Sequence, residues 1–114
     1  MDLLKFEEAL VHAKEGKRIT RLKWNGNNLG GDFKPRMWVV VMPALYLPPY
    51  NTQDTMRKVN DRTAKHIGVD TPLDSKPYFA LFTPDKTWQP GWLPSQQDLF
   101  AEDYIVLEDE DVTL

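Results

Sequence analysis

Two tryptophans stand where an indole ring could stack on a flat ligand. Trp24 ends a basic stretch and is followed by Asn25 and Gly26, residues typical of tight turns. Trp92 lies in the segment Gln89–Asp98, where two prolines and a glycine fix a sharp loop before a helix. An indole at such a junction can stack on a nucleobase or a similar ring. We therefore predict that both indoles bind an aromatic ligand, while Trp24 fits equally well at the edge of a hydrophobic core.

Polar side chains follow Trp92 directly. Ser95 is a suitable N-cap for a short helix from Gln96 to Ala101, and the amide groups at a helix N-terminus attract anions. Ser95, Gln96 and Asp98 add donors and acceptors at the same place. The alternative is a capping box in which Ser95 and Asp98 hydrogen-bond to each other, and both interpretations can hold at once.

The charges are distributed unevenly along the 114 residues, whose net charge is −3. The stretch from Lys14 to Trp24 contains five bases and a single acid, so it could contact phosphates or form a solvated strand edge. Residues 101–114 contain six acids and no bases, and we expect 108–114 to be a frayed, solvated tail. The negative net charge argues against binding to duplex DNA or single-stranded nucleic acid.

The residues required by most catalytic sites are scarce. The sequence has no cysteine and two histidines, and it contains no P-loop, GxSxG or HExxH motif. Asp98 and Glu102 have the i,i+4 spacing of a carboxylate pair, which leaves a small nucleotide-processing enzyme as an alternative. A non-catalytic interaction protein that uses its tryptophans at an interface is a second alternative. We expect a binding protein without a metal or cofactor, in the cytoplasm, since no secretory signal or membrane span is recognisable.

The helices and strands that must position these residues are predicted from the spacing of apolar residues and from the positions of proline and glycine. The pattern predicts an α+β fold, a small antiparallel sheet with helices packed mainly on one side, in a single domain over residues 1–107. The role of residues 50–77 stays open, with a turn-rich connector over 70–77. The predicted helices cover 2–15 (N-cap Asp2, stop at Gly16), Thr52 or Asp54 to Ile67, and 96–101. The predicted strands cover 17–24, 36–42, 78–83, 87–89 and 104–107, with a turn at 25–28 that the glycines at 30–31 extend.

Both ends of the chain resemble a small phage and prophage family. The similarity lies in Phe6–Leu10, the turn at Gly16, Arg21 with the segment Trp24–Gly26, and the C-terminal block from Trp92 to Tyr104. Residues Val59–Asp74 are similar, more loosely, to a segment of longer members. The family is the second type of Thoeris anti-defence protein, the Tad-two sponges. Tyr104 stands where a tryptophan is more typical.

The resemblance implies a protein that binds and sequesters cyclic ADP-ribose isomers, the signals made by bacterial TIR immune sensors. It also implies a homo-oligomer, typically a tetramer, with the pocket at a subunit junction, and in some members a separate site for cyclic oligonucleotides. Trp24 and Trp92 would stack on the ligand, and Arg21 or Arg18 would bind its pyrophosphate. Asn25, Ser95, Gln96 and Asp98 would bind the ribose hydroxyls and the adenine edge.

Overall fold

The computed structural model describes residues 2–26, 33–53 and 56–112. It confirms an α+β fold with a five-stranded antiparallel sheet. Its contacts divide the chain into two compact units, one comprising residues 1–42 and 78–114 and the other comprising 43–77. The helices of the described chain are α1 (Phe6–Lys14), α2 (Asp61–Ile67) and α3 (Gln96–Phe100). The strands are β1 (Arg18–Arg21), β2 (Trp38–Met42), β3 (Leu45–Leu47), β4 (Leu73–Ser75), β5 (Tyr78–Phe82), β6 (Trp88–Pro90) and β7 (Tyr104–Leu107).

The large sheet has the strand order β6-β5-β2-β1-β7, with every neighbouring pair antiparallel. One face packs against α1 through a cluster of buried side chains: Phe6, Ala9, Ala13, Ile19, Val39 and Tyr104. A second cluster is built on Trp38, Ile105 and Leu107, which the alternation along β2 and β7 directs to the other face. The sheet is thus apolar on both faces, as the consecutive valines of β2 indicate.

The first helix is shorter than predicted, and Asp2 is not its N-cap. Leu4 forms an antiparallel bridge with Tyr104, with N–O distances of 2.8 and 3.0 Å, so the chain before α1 is extended. The helix begins after Lys5, whose backbone N–H donates to the Glu8 carboxylate at 2.9 Å. Gly16, with φ 97°, follows the helix end as predicted, because this left-handed conformation favours glycine.

The second unit differs most from the prediction. Its helix α2 does not begin at Thr52; its N-cap is Asn60, which accepts a hydrogen bond from the Thr63 N–H at 2.8 Å. The other proposed cap, Asp54, lies outside the described residues. Strands β3 and β4 pair with each other; β4 lies within the predicted turn-rich connector over 70–77, and no strand was predicted at β3. Both strands have only three residues, too few to show a clear alternation.

The segment with Trp24 also differs from the prediction. Strand β1 ends at Arg21, and Lys23–Asn25 form a single 3₁₀ turn that Gly26 closes with φ 83°. The Leu22 N–H still donates to the Asp103 carbonyl at 2.9 Å, which continues the register of β1 with β7, and the strand ends because Leu22 has helical backbone angles (φ −56°, ψ −41°). The predicted turn at 25–28 is described only to Gly26, and the predicted glycine loop at 30–31 lies outside the described residues.

Candidate functional site

Trp24 and Trp92 lie against each other on the side of the sheet that packs on α1. Their ring centroids are 5.9 Å apart at an interplanar angle of 80°, an edge-to-face pair. Both indoles are half-buried beside the first core cluster, where Trp24 contacts Tyr104 and Trp92 contacts Phe79. The edge-to-face arrangement leaves no gap for a ligand ring between them. A flat ligand would have to stack on an outer face of the pair.

The loop before Trp92 is fixed by backbone geometry. Gly91 has φ 84°, and its N–H and that of Trp92 both donate to the Phe79 carbonyl, at 2.8 and 3.0 Å. The chain therefore turns sharply at the end of β6 and directs the indole back towards the core. This is the sharp loop that the Pro-Gly pattern predicted.

Arg21 is the charged centre of this region and is 8% exposed. Its Nε donates to Asp103 Oδ1 at 2.9 Å and its Nη1 donates to Asp98 Oδ1 at 2.8 Å. The guanidinium carbon also lies 5.9 Å from the Trp24 ring centroid and 5.9 Å from that of Tyr104. Burial works to lower the Arg21 pKa, but the bonds to the two carboxylates outweigh it and raise the pKa.

These contacts bear on the predicted pyrophosphate contact of Arg21. One guanidinium with two carboxylates has a net charge of −1, so this trio does not attract a phosphate by its total charge. The two donors that Arg21 directs at carboxylates are also unavailable to a ligand unless these bonds break. The ligand-binding role of Arg21 remains a prediction, and the structure favours a supporting role.

Ser95 and Asp98 form the predicted capping box at the start of α3. Ser95 Oγ accepts from the Asp98 N–H at 3.0 Å, and Asp98 Oδ2 accepts from the Ser95 N–H and hydroxyl, each at 2.9 Å. Burial works to raise the Asp98 pKa, but the bonds from Ser95 and Arg21 outweigh it and lower the pKa. Asp98 is therefore held as an anion with both oxygens engaged. Gln96 lies next to Ser95 and is exposed.

Asn25 joins the turn of Trp24 to its surroundings. Its Nδ2 donates to Thr20 Oγ1 at 3.0 Å and to the Arg21 carbonyl at 2.8 Å. Its Oδ1 accepts from the Arg36 N–H at 3.2 Å. The side-chain amide thus holds the local fold, and its contact with the ribose hydroxyls or the adenine edge of a ligand stays a prediction.

Two residues of this region were not among the predicted site residues. Asp103 binds Arg21 and also accepts from the Lys23 N–H through Oδ2 at 3.0 Å. The Tyr104 hydroxyl donates to the Asp98 carbonyl at 2.7 Å, and burial, the largest influence, raises its pKa. A buried arginine needs acidic partners, but no local signal in the sequence pointed to Asp103, which lies 82 positions from Arg21.

The basic stretch before Trp24 is largely paired with acids from the C-terminal segment. Lys17 Nζ lies 3.3 Å from Glu108, and Arg18 Nη1 lies 2.8 Å from Asp109. Asp109–Asp111 form a 3₁₀ turn, and Val112 packs against the second core cluster. The prediction of a frayed tail is therefore wrong for residues 108–112, because these pairs and Val112 attach the segment to the sheet.

Among the described residues, grooves also lie outside the paired indoles. One, of ≈ 210 Å³, is lined by Glu102 with Lys5, Glu7, Leu99, Phe100 and Ala101. The other, of ≈ 270 Å³, is lined by His12 with Asp2, Leu4, Lys17, Ile105, Val106 and Glu108. Within the described part of the chain, no group of three histidine or acidic residues is arranged to hold a metal ion.

The fold and this cluster define a small α+β protein whose paired indoles stand over an ion-pair network at the tip of a short helix. The family model for the Thoeris anti-defense 2-like (Tad2-like) domain matches residues 4–107, so the chain belongs to that family. This membership confirms the resemblance found in the sequence and assigns the protein a role in Thoeris anti-defence. No curated protein sequence matches the chain. None of the helices in the described ranges is long and apolar enough to cross a membrane.

Proposed function

We propose that this protein counters Thoeris defence by binding and sequestering a cyclic ADP-ribose isomer. The observation that supports the proposal most directly is the half-buried pair Trp24 and Trp92, held at a capped helix tip in a Tad2-like domain. Each indole is fixed on its inner edge by core aromatics, so it offers a flat surface whose orientation is set before binding. A preorganised surface loses little entropy when a ligand binds.

The polar part of the ligand requires partners other than the Arg21 trio. Lys23 precedes Trp24 and is exposed. Arg36 is also exposed and lies beside Asn25, because the Arg36 backbone N–H donates to the Asn25 side-chain amide oxygen. These cations suit a pyrophosphate because their charged groups reach solvent. Ser95 and Gln96, both exposed at the start of α3, suit ribose hydroxyls and the adenine edge.

Sequestration requires tight binding and no chemistry. Asp98 suits this role and not that of a general acid, because its lowered pKa keeps it ionised and Arg21 and Ser95 occupy its oxygens. We therefore propose that the protein is not an enzyme. The competing carboxylate-pair mechanism requires Asp98 to exchange protons, which these bonds oppose.

We further propose that the pocket is completed by a second copy of the chain, in a homo-oligomer that is typically a tetramer. A nanomolar complex needs about 12 kcal/mol, and a stacked base contributes about 1–3 kcal/mol. The single adenine of the ligand therefore gains too little from an open surface of two indoles for such affinity. A neighbouring subunit would enclose the ligand and supply the missing contacts. We place the protein in the cytoplasm of the bacterial host, where the signal is made.

The proposal is tested by a thermal shift followed by recovery of the ligand. The purified protein, heated with a cyclic ADP-ribose isomer, should melt at a higher temperature than alone. Mass spectrometry of the released nucleotide should then show an unchanged mass and chromatographic position. A chemically altered nucleotide would favour the enzyme. An unshifted melting temperature with every isomer would favour the alternative of an interaction protein.

A further inference from the structure

We propose that Asp103 is the positioning residue of the Trp24–Trp92 site, acting through Arg21 and through the backbone of Lys23. The inference rests on the proposed function only where ligand affinity is concerned. Its structural part, that Asp103 sets the relative orientation of the two indoles, stands on contacts of this chain alone.

The first step concerns the turn of Trp24. Asp103 contacts three consecutive residues before that indole: Arg21 Nε through Oδ1, the Leu22 N–H through its backbone carbonyl and the Lys23 N–H through Oδ2, at 2.9, 2.9 and 3.0 Å. Two of these bonds use the carboxylate, one oxygen each. A 3₁₀ turn of three residues has few hydrogen bonds of its own, so its position depends on such outside partners.

The second step concerns the segment of Trp92. Arg21 continues from Asp103 to Asp98 Oδ1, and Asp98 Oδ2 holds Ser95, which follows Trp92 by three residues. The carboxylate of Asp103 is thus one end of a continuous chain of charged hydrogen bonds, and the loop of Trp92 adjoins the other end. The side chains of Arg21, Asp98 and Asp103 are 10%, 14% and 22% exposed, so water screens these bonds little.

Asp103 is poorly suited to contact the ligand itself. Arg21 Nε and the Lys23 N–H take one oxygen each of the Asp103 carboxylate, and a second acid beside Asp98 would repel a pyrophosphate. Asp103 therefore acts on the ligand only through the indoles that it positions. If it is removed, Arg21 loses one of its two carboxylate partners and the Trp24 turn loses a backbone anchor.

The test compares Asp103→Asn and Asp103→Ala with two controls. Asp109→Asn makes the same change in an exposed ion pair remote from the indoles, and Ile105→Val weakens the core on the other face of the sheet. The first readout is the circular dichroism exciton signal of the indole pair, measured well below the melting temperature. Trp24→Phe lacks the indole pair and gives the baseline for this signal. We expect the signal to fall in the order wild type, Asn, Ala, because asparagine keeps one neutral acceptor.

The second readout is the dissociation constant for cyclic ADP-ribose isomers, measured by calorimetry. Asp103→Asn should weaken binding by about tenfold, the equivalent of one charge-assisted hydrogen bond, whereas both controls should stay near wild type. An unchanged exciton signal in both Asp103 variants would overturn the inference. So would an Ile105→Val variant that loses as much exciton signal as an Asp103 variant with the same melting temperature. If the native protein binds no isomer, the proposed function fails and the exciton signal alone decides the inference. Should Asp103→Ala not fold, the Asn variant suffices.

Discussion

At the scale of single residues, Trp24 and Trp92 have a double role. Each packs against core aromatics on one side, through Tyr104 and Phe79, and retains solvent exposure on the other. Trp24 can therefore cover the edge of the core and also offer a surface to a ligand, because a half-buried indole has one buried and one exposed side. The consequence is that substitutions here change both stability and affinity, and the two effects must be measured separately.

We expect Trp92→Ala to weaken binding of a cyclic ADP-ribose isomer by ten- to a hundredfold, since base stacking contributes about 1–3 kcal/mol. Calorimetry with the folded variant checks this expectation. Trp88→Ala is the matched control, because Trp88 is an exposed indole on strand β6 outside the pair. Equal losses in the two variants would contradict a specific role for Trp92.

Asp98 gives a second residue-scale prediction, on pH. Its pKa is lower in the folded chain than in the unfolded one, so it stabilises the fold above the unfolded value of about 3.9. That contribution disappears as the pH falls through the carboxyl range towards the folded pKa. In urea unfolding at a series of acidic pH values, the free energy of unfolding should fall less steeply with decreasing pH for Asp98→Asn than for wild type. If the free energies of unfolding of the two proteins fell in parallel with pH, Asp98 would not be the group responsible for the acid destabilisation.

At the scale of elements, the capping box at α3 is the best-defined local motif near the site. Removing the hydroxyl in Ser95→Ala should lower the free energy of unfolding by about 1 kcal/mol. Ser75→Ala is the control, because Ser75 lies in strand β4 and caps no helix; its hydroxyl donates to the adjoining Lys76 carbonyl at 3.3 Å. Urea denaturation of both variants checks the difference. An equal effect would mean that the cap adds nothing beyond an ordinary surface hydroxyl.

The elements also show what a sequence reveals. Strands β5 and β7 and helix α3 match the prediction closely, because strong local signals (apolar runs, an N-cap serine) agree with the tertiary environment. The start of α1 and the 3₁₀ turn at Trp24 were mispredicted, because bonds to residues about 80 to 100 positions away decide them. The Ser95–Asp98 cap was predictable because its two residues are three positions apart in the sequence. The Arg21–Asp103 bond was not, since it joins residues 82 positions apart.

At the scale of the whole molecule, the C-terminal segment is an attached part of the first unit. Deleting residues 108–114 removes two surface ion pairs, each contributing about 1 kcal/mol or less, and the contact of Val112 with the second core cluster. We expect a modestly lower melting temperature and a ligand dissociation constant within about twofold of wild type, because residues 108–112 contact Lys17, Arg18 and the core cluster on the face of the sheet opposite the indoles. A large loss of affinity would place part of the site in this segment.

Assembly is the second whole-molecule prediction. The proposed function requires another copy of the chain to enclose the ligand, so light scattering should give the mass of a homo-oligomer, with a tetramer expected. The melting temperature should also rise with protein concentration, because association stabilises the folded state by mass action. A mass equal to 13.2 kDa at all concentrations, together with tight ligand binding, would contradict a shared pocket.

The central claim, that this chain captures a cyclised ADP-ribose signal and does not consume it, is tested most directly by capture from a lysate with an active TIR sensor. The protein is exposed to the lysate, washed and denatured, and the released small molecules are identified by mass. We expect an intact cyclic ADP-ribose isomer to be released from the native protein and to be absent from the Trp24→Ala, Trp92→Ala double variant. Release of no nucleotide, or of a hydrolysed one, would contradict it.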